Sequence, residues 1–198
     1  MRTLKARTLR EGVRQSYSEV ANKPRHKHPF PVGRAFAESV GYPSDLLESL
    51  PAVSVDVFAG VSNVVVFAAI PPGATVLDLG CGGGLDSLIA AQRTGPRGKV
   101  IGVDFSDAML ARARQGALEA EFDNVEYYLG DAEGLPIEDA SVDVALVNGI
   151  LNLNQARSSI IQELARVMKL GGSVYAAELI LREALPQEVQ ADETNWFT

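Results

Sequence analysis

The sequence predicts a doubly wound α/β fold on a mainly parallel sheet, and two observations carry that prediction. From Ala74 onward, short apolar runs alternate with segments of helical periodicity. Such alternation needs right-handed crossovers and a sheet covered on both faces. At the first junction, VLDLGCGGGLDS (Val76 to Ser87) places four glycines directly after an apolar run, where the chain passes from a strand to a helix and a ligand can approach the backbone.

The elements follow in order. A basic arm opens the chain and leads into PRHKHPFPVG (Pro24 to Gly33), whose prolines predict an extended connector. Arg34 to Val40 is helical in pattern, Ser44 is placed to cap a short helix ending by Pro51, and Asn63 to cap a helix over 63–70. PPG at 71–73 closes this region, so residues 1–73 and 74–198 are predicted as separate units. Strands are expected at 75–79, 99–104, 124–130, 141–148 and 173–181, and helices at 86–93, 107–120 and 155–169, with Leu170-Gly171-Gly172 as a turn.

Composition narrows the function classes. The single cysteine, Cys81, excludes an internal disulfide framework and a cysteine-built zinc site and fits a reducing compartment. No secretory leader is recognisable at the start, and the longest apolar stretch, Val57 to Ile70, is interrupted and too short for a bilayer, so a cytoplasmic location without a membrane span is expected. Residues 1–34 hold nine Lys or Arg against Glu11 and Glu19, a net of +7 in a chain of net −7, which leaves −14 on the remainder. Arm and body should attract each other. The arm lacks interleaved aromatics and the body would repel phosphate, so no nucleic-acid partner is expected.

The spacing in the glycine loop discriminates between ligands. A dinucleotide fingerprint would need glycine at 85 or 87, where Leu85 and Ser87 stand, and no Gly-Lys-Ser/Thr ending makes a phosphate loop. What remains is Asp78, Gly80, Gly82 and Gly84 at alternate positions. Asp104, ending the second strand, can accept hydrogen bonds from both hydroxyls of a ribose, and Asp131, ending the third, can accept from an exocyclic amine. Three successive strand ends thus predict an adenosine site.

VLDLGCGGG, VIGVDFSDAML, GDAEGLP and SVDVALVN, in this order and spacing, resemble the class I S-adenosylmethionine-dependent methyltransferases over about residues 74–181. The resemblance implies a Rossmann-like fold, S-adenosylmethionine as cofactor and S-adenosylhomocysteine as product. It places Gly80 to Gly84, with Cys81, under the methionine part, and Asp78 near its amino group. It places Asp104 at the ribose, Phe105 and Met109 beside the adenine, Asp131 and Ala132 at its edge, and Asn148 at the end of the fourth strand. A sulfonium methyl is already electrophilic, so aligning a nucleophile and excluding water suffice, without an obligatory base or metal. The same resemblance makes residues 1–73 an N-terminal helical lid. Seven strands belong to the full class I sheet, and the seventeen residues after Leu181 cannot supply the last two, so the fifth-strand edge is expected to be covered by a missing segment, the arm or a second copy in a homodimer.

The flanks VRQSYSEVA, SVGYPSDLLESLP, NGILNL and LPQEV are similar to the arsenite methyltransferase group, whose characteristic cysteines fall at Ala59, Ser87 and Gly149 here. Soft thiolates suit a soft arsenic atom, so their absence favours a small organic acceptor attacking through O, C or N. Arsenite methyl transfer and a cofactor-binding module without catalysis are the alternatives. Candidates for handling the acceptor are Tyr17, His28 beside His26, Asn148 and Asn152, with Glu178 in the fifth strand.

Overall fold

The computed structural model describes residues 2–180 and 183. Its centre is a parallel sheet in which β1 (Thr75–Leu79), β2 (Lys99–Asp104), β3 (Val125–Leu129), β4 (Val142–Asn148) and β5 (Met168–Ala177) lie in the order β3-β2-β1-β4-β5. The helical crossovers are α6 (Leu85–Thr94), α7 (Asp107–Glu119) and α8 (Arg157–Val167), and β3 reaches β4 through a segment without a helix. Winding runs outward from β1 to β3 on one side and from β4 to β5 on the other. Strand order reverses between β1 and β4, and ligands of such sheets bind beyond the carboxyl ends at that point.

Burial explains why these residues form these strands. Val76, Leu77 and Leu79 of β1, Val100 and Val103 of β2, and Leu146 and Val147 of β4 are buried, because helices cover both faces of the central strands. Two cores result: Val76, Leu88, Val100 and Leu146 pack on one face, and Leu77, Val103, Ile160 and Leu164 on the other. The edge strands differ. Tyr128 and Leu129 on β3 and Leu170 and Val174 on β5 are exposed, and among the described residues the outer edge of β5 has no partner strand. The residues after the described part of the chain, Trp196 and Phe197 among them, lie outside the described residues.

The N-terminal region folds as α1 (Arg2–Asn22), α2 (Arg34–Ser39), α3 (Ser44–Glu48), α4 (Ala52–Val55) and α5 (Val64–Phe67). It packs on the sheet domain through Val20, Ala21 and Val57 against Met109 of α7, and the Ser18 hydroxyl lies 2.9 Å from that of Ser106. No helix here is long and apolar enough to cross a membrane.

Three local expectations change. Ser44 is the first residue of α3 and Pro43 its cap, so Ser44 gives no capping bond. Asn63 precedes α5 but its amide donates to the Gly41 carbonyl at 2.8 Å, a tertiary contact that takes the side chain from the helix end. Leu170-Gly171-Gly172 is a bulge inside β5, whose register on β4 shifts between Val142 and Val144. Gly171 there has φ +83°, which a glycine adopts without the cost a side chain would bring.

Candidate functional site

A cleft of about 1090 Å³, counting the space open to solvent, lies beyond the ends of β1, β2 and β4 and under α1. Of the predicted residues, Asp78, Gly80, Cys81, Gly82, Asp104, Phe105, Met109, Asp131, Ala132, Asn148 and Tyr17 all line it. Their convergence follows from parallel pairing. Asp78, Asp104 and Asn148 each stand at or next to the carboxyl end of a strand, and β1 lies between β2 and β4.

The glycines have separate tasks. Gly82 (φ +51°) has nothing within 4 Å of where a Cβ would stand, so it leaves open space for a ligand at the backbone. Gly80 makes room for Ile150, whose Cδ1 would be 2.5 Å from a Cβ there. Gly84 was expected at the cofactor but is absent from the lining. In a left-handed conformation (φ +85°) it caps α6, and a Cβ would meet the Tyr127 hydroxyl and Ala113. It serves the close packing of loop, strand and helix.

Three buried carboxylates surround the loop. Asp78 accepts from the Ser87 hydroxyl at 2.5 Å and from the Ser87 backbone amide. Asp86, on the first turn of α6, accepts from the Tyr42 hydroxyl at 2.5 Å and from the Asn148 amide at 3.0 Å. Asp104 accepts from the Gly82 and Ser106 amides at 2.9 and 2.8 Å. Desolvation raises all three above the ordinary aspartate range, Asp78 to about 8 with the Asp86 charge adding to it, and Asp86 to about 6 against the pull of its two donors. The backbone amides of Ser106, Gly82 and Phe105 restrain the rise at Asp104, which lines the cleft. Desolvation likewise pushes the Cys81 thiol well up, and its sulfur packs against the backbone of Gly102.

The roof and mouth are held by polar contacts. Tyr17 stacks on Phe30 with ring centroids 5.0 Å apart, and its phenol is raised by desolvation, then by Asp104 and Glu178, so it stays protonated at neutral pH. Arg10 of α1 forms an ion pair with Asp131 and approaches Glu133 at 3.9 Å, which realises the expected attraction between arm and body. Asp131 therefore already has a cationic partner at the position expected for adenine. Glu133 also accepts from the Asn154 amide at 3.0 Å, tying the turn after β3 to the loop after β4.

That loop, Asn148 to Asn154, is fixed from beneath. Glu178, one residue past the end of β5, accepts from the amides of Ile150, Leu151 and Asn152 at 2.9, 2.9 and 3.1 Å. Asn148 was read as free to orient an acceptor, yet its amide is fully used. The oxygen accepts from the Val61 and Ser62 amides at 2.8 and 3.2 Å, and the nitrogen donates to the Ser62 carbonyl at 2.7 Å and to Asp86. It clamps the N-terminal region onto β4. Asn152 does not line the cleft, and its side-chain oxygen is buried without a hydrogen-bond partner. His28 is also outside the cleft, in the connector, with Nε2 2.9 Å from the Lys23 carbonyl.

Sequence reasoning missed Asp86, Tyr42 and Arg10. The acidic first turn of α6 was the available signal for Asp86, since a carboxylate buried at that position needs donors. Nothing local marked Tyr42, 44 positions away from its partner.

Comparison with known proteins agrees with this geometry. The family described as methyltransferase domain matches residues 70–197. The chain is 38% identical over 156 residues to an arsenite methyltransferase of Halobacterium salinarum, covering 79% of this chain and 40% of that protein. It is 38% identical over 106 residues to a demethylmenaquinone methyltransferase of Lactococcus lactis, covering 54% and 42%. The chain thus spans about 40% of the length of these curated relatives. The crystal structure of an arsenic(III) S-adenosylmethionine methyltransferase from Chlamydomonas reinhardtii superposes with a TM-score of 0.63 at 28% identity, over 83% of this chain and 55% of that one. With the matched family, the sheet order and the glycine loop in agreement, the chain belongs to the class I S-adenosylmethionine-dependent methyltransferases.

Proposed function

We propose that this chain binds S-adenosylmethionine in the cleft and directs its methyl group to a small organic acceptor. The observation that carries this reading is the pairing of an open backbone position, Gly82, with two buried carboxylates on neighbouring strand ends, Asp78 and Asp104, neither with a basic partner among the described residues. Buried carboxylates without a cation need donors from a ligand. A nucleoside with ribose hydroxyls and an ammonium group supplies both kinds. Asp104 would hold the ribose, Asp78 the ammonium, and Phe105 and Met109 the adenine. S-adenosylmethionine, when bound, supplies an electrophilic methyl group.

The protein's part is then orientation and exclusion of water. Residues 1–73 act as the lid over the α/β unit of residues 74–198, with α1 covering the mouth and Asn148 joining lid to sheet. Tyr17, protonated at neutral pH, acts as a hydrogen-bond donor rather than a base. The acceptor must therefore bring its own lone pair or arrive as an anion. Of the positions that hold cysteine in the arsenite group, Ala59 and Gly149 line the cleft without a thiol, Ser87 is occupied with Asp78, and the Cys81 sulfur packs on Gly102. This donor set suits an organic acceptor better than trivalent arsenic.

Equilibrium titration with S-adenosylmethionine tests the reading. Asp104→Ala removes an ionic acceptor of two ligand hydroxyls, so affinity should fall about 10- to 100-fold, the worth of one or two charge-assisted hydrogen bonds. Unchanged affinity in that variant refutes the assignment of Asp104. Failure to form any methylated product across an acceptor screen, with binding intact, would make the chain a cofactor-binding module.

A further inference from the structure

With the residues assigned to the cofactor set aside, the wall that remains for the acceptor is apolar. Val13 of α1, Val57 and Phe58 between α4 and α5, and Ile150 and Leu153 after β4 line it. The polar side chains around them are already engaged. Arg10, the one cation lining the cleft among the described residues, is held by Asp131 and Glu133. Asn154 donates to Glu133 and accepts from the Ala156 amide at 2.7 Å, while Asn148 makes four bonds and Asp86 takes Tyr42 and Asn148. The Ser54 hydroxyl is turned to Gly116 of α7, where a Cβ would stand 2.1 Å from it. Tyr17 is the exception. Its ring is held on Phe30, and its hydroxyl has no hydrogen-bond partner among the described residues. The charges of Asp104 and Glu178 both reach that hydroxyl, and Glu178 holds the amides of Ile150, Leu151 and Asn152, so it stands between the ribose seat and the acceptor wall.

Such a wall selects by exclusion. A carboxylate or phosphate on the acceptor finds no free cation there, and a sugar or amide gives up hydrogen bonds to water that these side chains do not return. An aliphatic alcohol or an ammonium group needs a base to free its lone pair, and this wall presents none. A thiolate ionises readily, but sulfur is a weak partner for a hydroxyl donor. On the reading of this cleft as an S-adenosylmethionine site, we infer that the acceptor is an apolar phenol or enol, bound by Tyr17 through the oxygen that takes the methyl group. That hydroxyl ionises without an enzyme base and gives its proton to water. Its oxygen then has lone pairs for both the Tyr17 donor and the methyl carbon. As the O–C bond forms from one of them, the S–C bond breaks and its electron pair stays on sulfur, which leaves a methyl ether and the thioether S-adenosylhomocysteine. The apolar wall keeps water from competing for the methyl group.

A series of naphthalenes that differ in one group tests this, with methyl-labelled S-adenosylmethionine as donor. The probes are 2-naphthol, its carboxylated form 6-hydroxy-2-naphthoate, 2-naphthylmethanol, 2-naphthylmethylamine and 2-naphthalenethiol, with 4-tert-butylphenol as a smaller phenol. The two uncharged phenols should yield labelled methyl ethers, with kcat/KM at least about tenfold above every other probe, the worth of one hydrogen bond or one unpaired group. Tyr17→Phe keeps the ring that stacks on Phe30 and removes the donor. Its kcat/KM for 2-naphthol should fall about 10- to 100-fold, as for a hydrogen bond to a charged oxygen, while S-adenosylhomocysteine affinity by calorimetry stays within about threefold. A purely structural role for Tyr17 would lower both together. That result overturns the inference, and so does an unchanged kcat/KM in Tyr17→Phe or faster methylation of the amine, thiol, alcohol or carboxylated probe. Where Tyr17→Phe does not fold, the order of the probes in the wild type decides alone. Wild type that binds S-adenosylmethionine but neither binds nor methylates a phenol also overturns the inference, whereas failure to bind S-adenosylmethionine overturns the functional reading instead.

Discussion

Replacing Asn148 tests how the lid is fastened to the sheet. Its amide makes four hydrogen bonds, to the Val61 and Ser62 amides, the Ser62 carbonyl and Asp86. Asn148→Ala removes all four and strands their partners in a region that water reaches poorly. At about 0.5–1.5 kcal/mol for each net bond, with some relief from partial solvation, the loss should be about 2–4 kcal/mol. For a domain of this size each kcal/mol lowers Tm by about 2–4 °C, so thermal unfolding should shift down by roughly 5–15 °C. Asn148→Asp adds a sign. It keeps the shape and the acceptor to Val61 and Ser62 but replaces the donor to the Ser62 carbonyl and Asp86 with a further carboxylate. The new acid would have a folded-state pKa above its unfolded value, so its penalty should be least at low pH and should grow as pH rises from 5 to 8. Thermal melts of the three proteins at pH 5, 6.5 and 8 read both effects. An Asn148→Ala protein that melts within 2 °C of the wild type, or an Asn148→Asp protein whose deficit does not widen with pH, refutes the clamp.

Gly82→Ala should fold with a penalty of about 1–2 kcal/mol for a left-handed alanine, since its Cβ meets no atom within 4 Å, yet S-adenosylmethionine affinity should fall at least tenfold as that Cβ enters the ligand's space; parallel melting and titration separate the two, and equal affinity would show that the ligand does not approach there. Glu178→Ala leaves the amides of Ile150, Leu151 and Asn152 without their carboxylate, so hydrogen exchange at these three should quicken by about tenfold or more, the equivalent of one lost charge-assisted bond, while amides of β1 keep their protection.

Some of the local expectations that failed share a cause with the site residues that were missed. Ser44 and Asn63 are good capping residues by type, but Pro43 stands at the N-cap position of α3, which puts Ser44 inside the helix, and the Asn63 amide is bound to Gly41. Asn148 was correctly placed at the end of β4, while its partners lie 62 to 87 positions away. By contrast β1 and β2 begin and end at the residues expected, Thr75 to Leu79 and Lys99 to Asp104. Their apolar runs are short, buried on both faces and bounded by turn residues, so a window of a few residues holds all the information that sets their limits.

The sequence by itself determined the α/β alternation, the strand-to-helix glycine turn and the carboxylates that close β1 and β2, because each follows from the chemistry of neighbouring residues along the chain. Tertiary structure alone decided which glycine faces open space, that Arg10 occupies Asp131, and that Tyr42 and Asn148 converge on Asp86. Those outcomes depend on which side chains compete for a given donor or cavity once distant segments meet, and a buried polar group takes whichever partner the packing brings within reach.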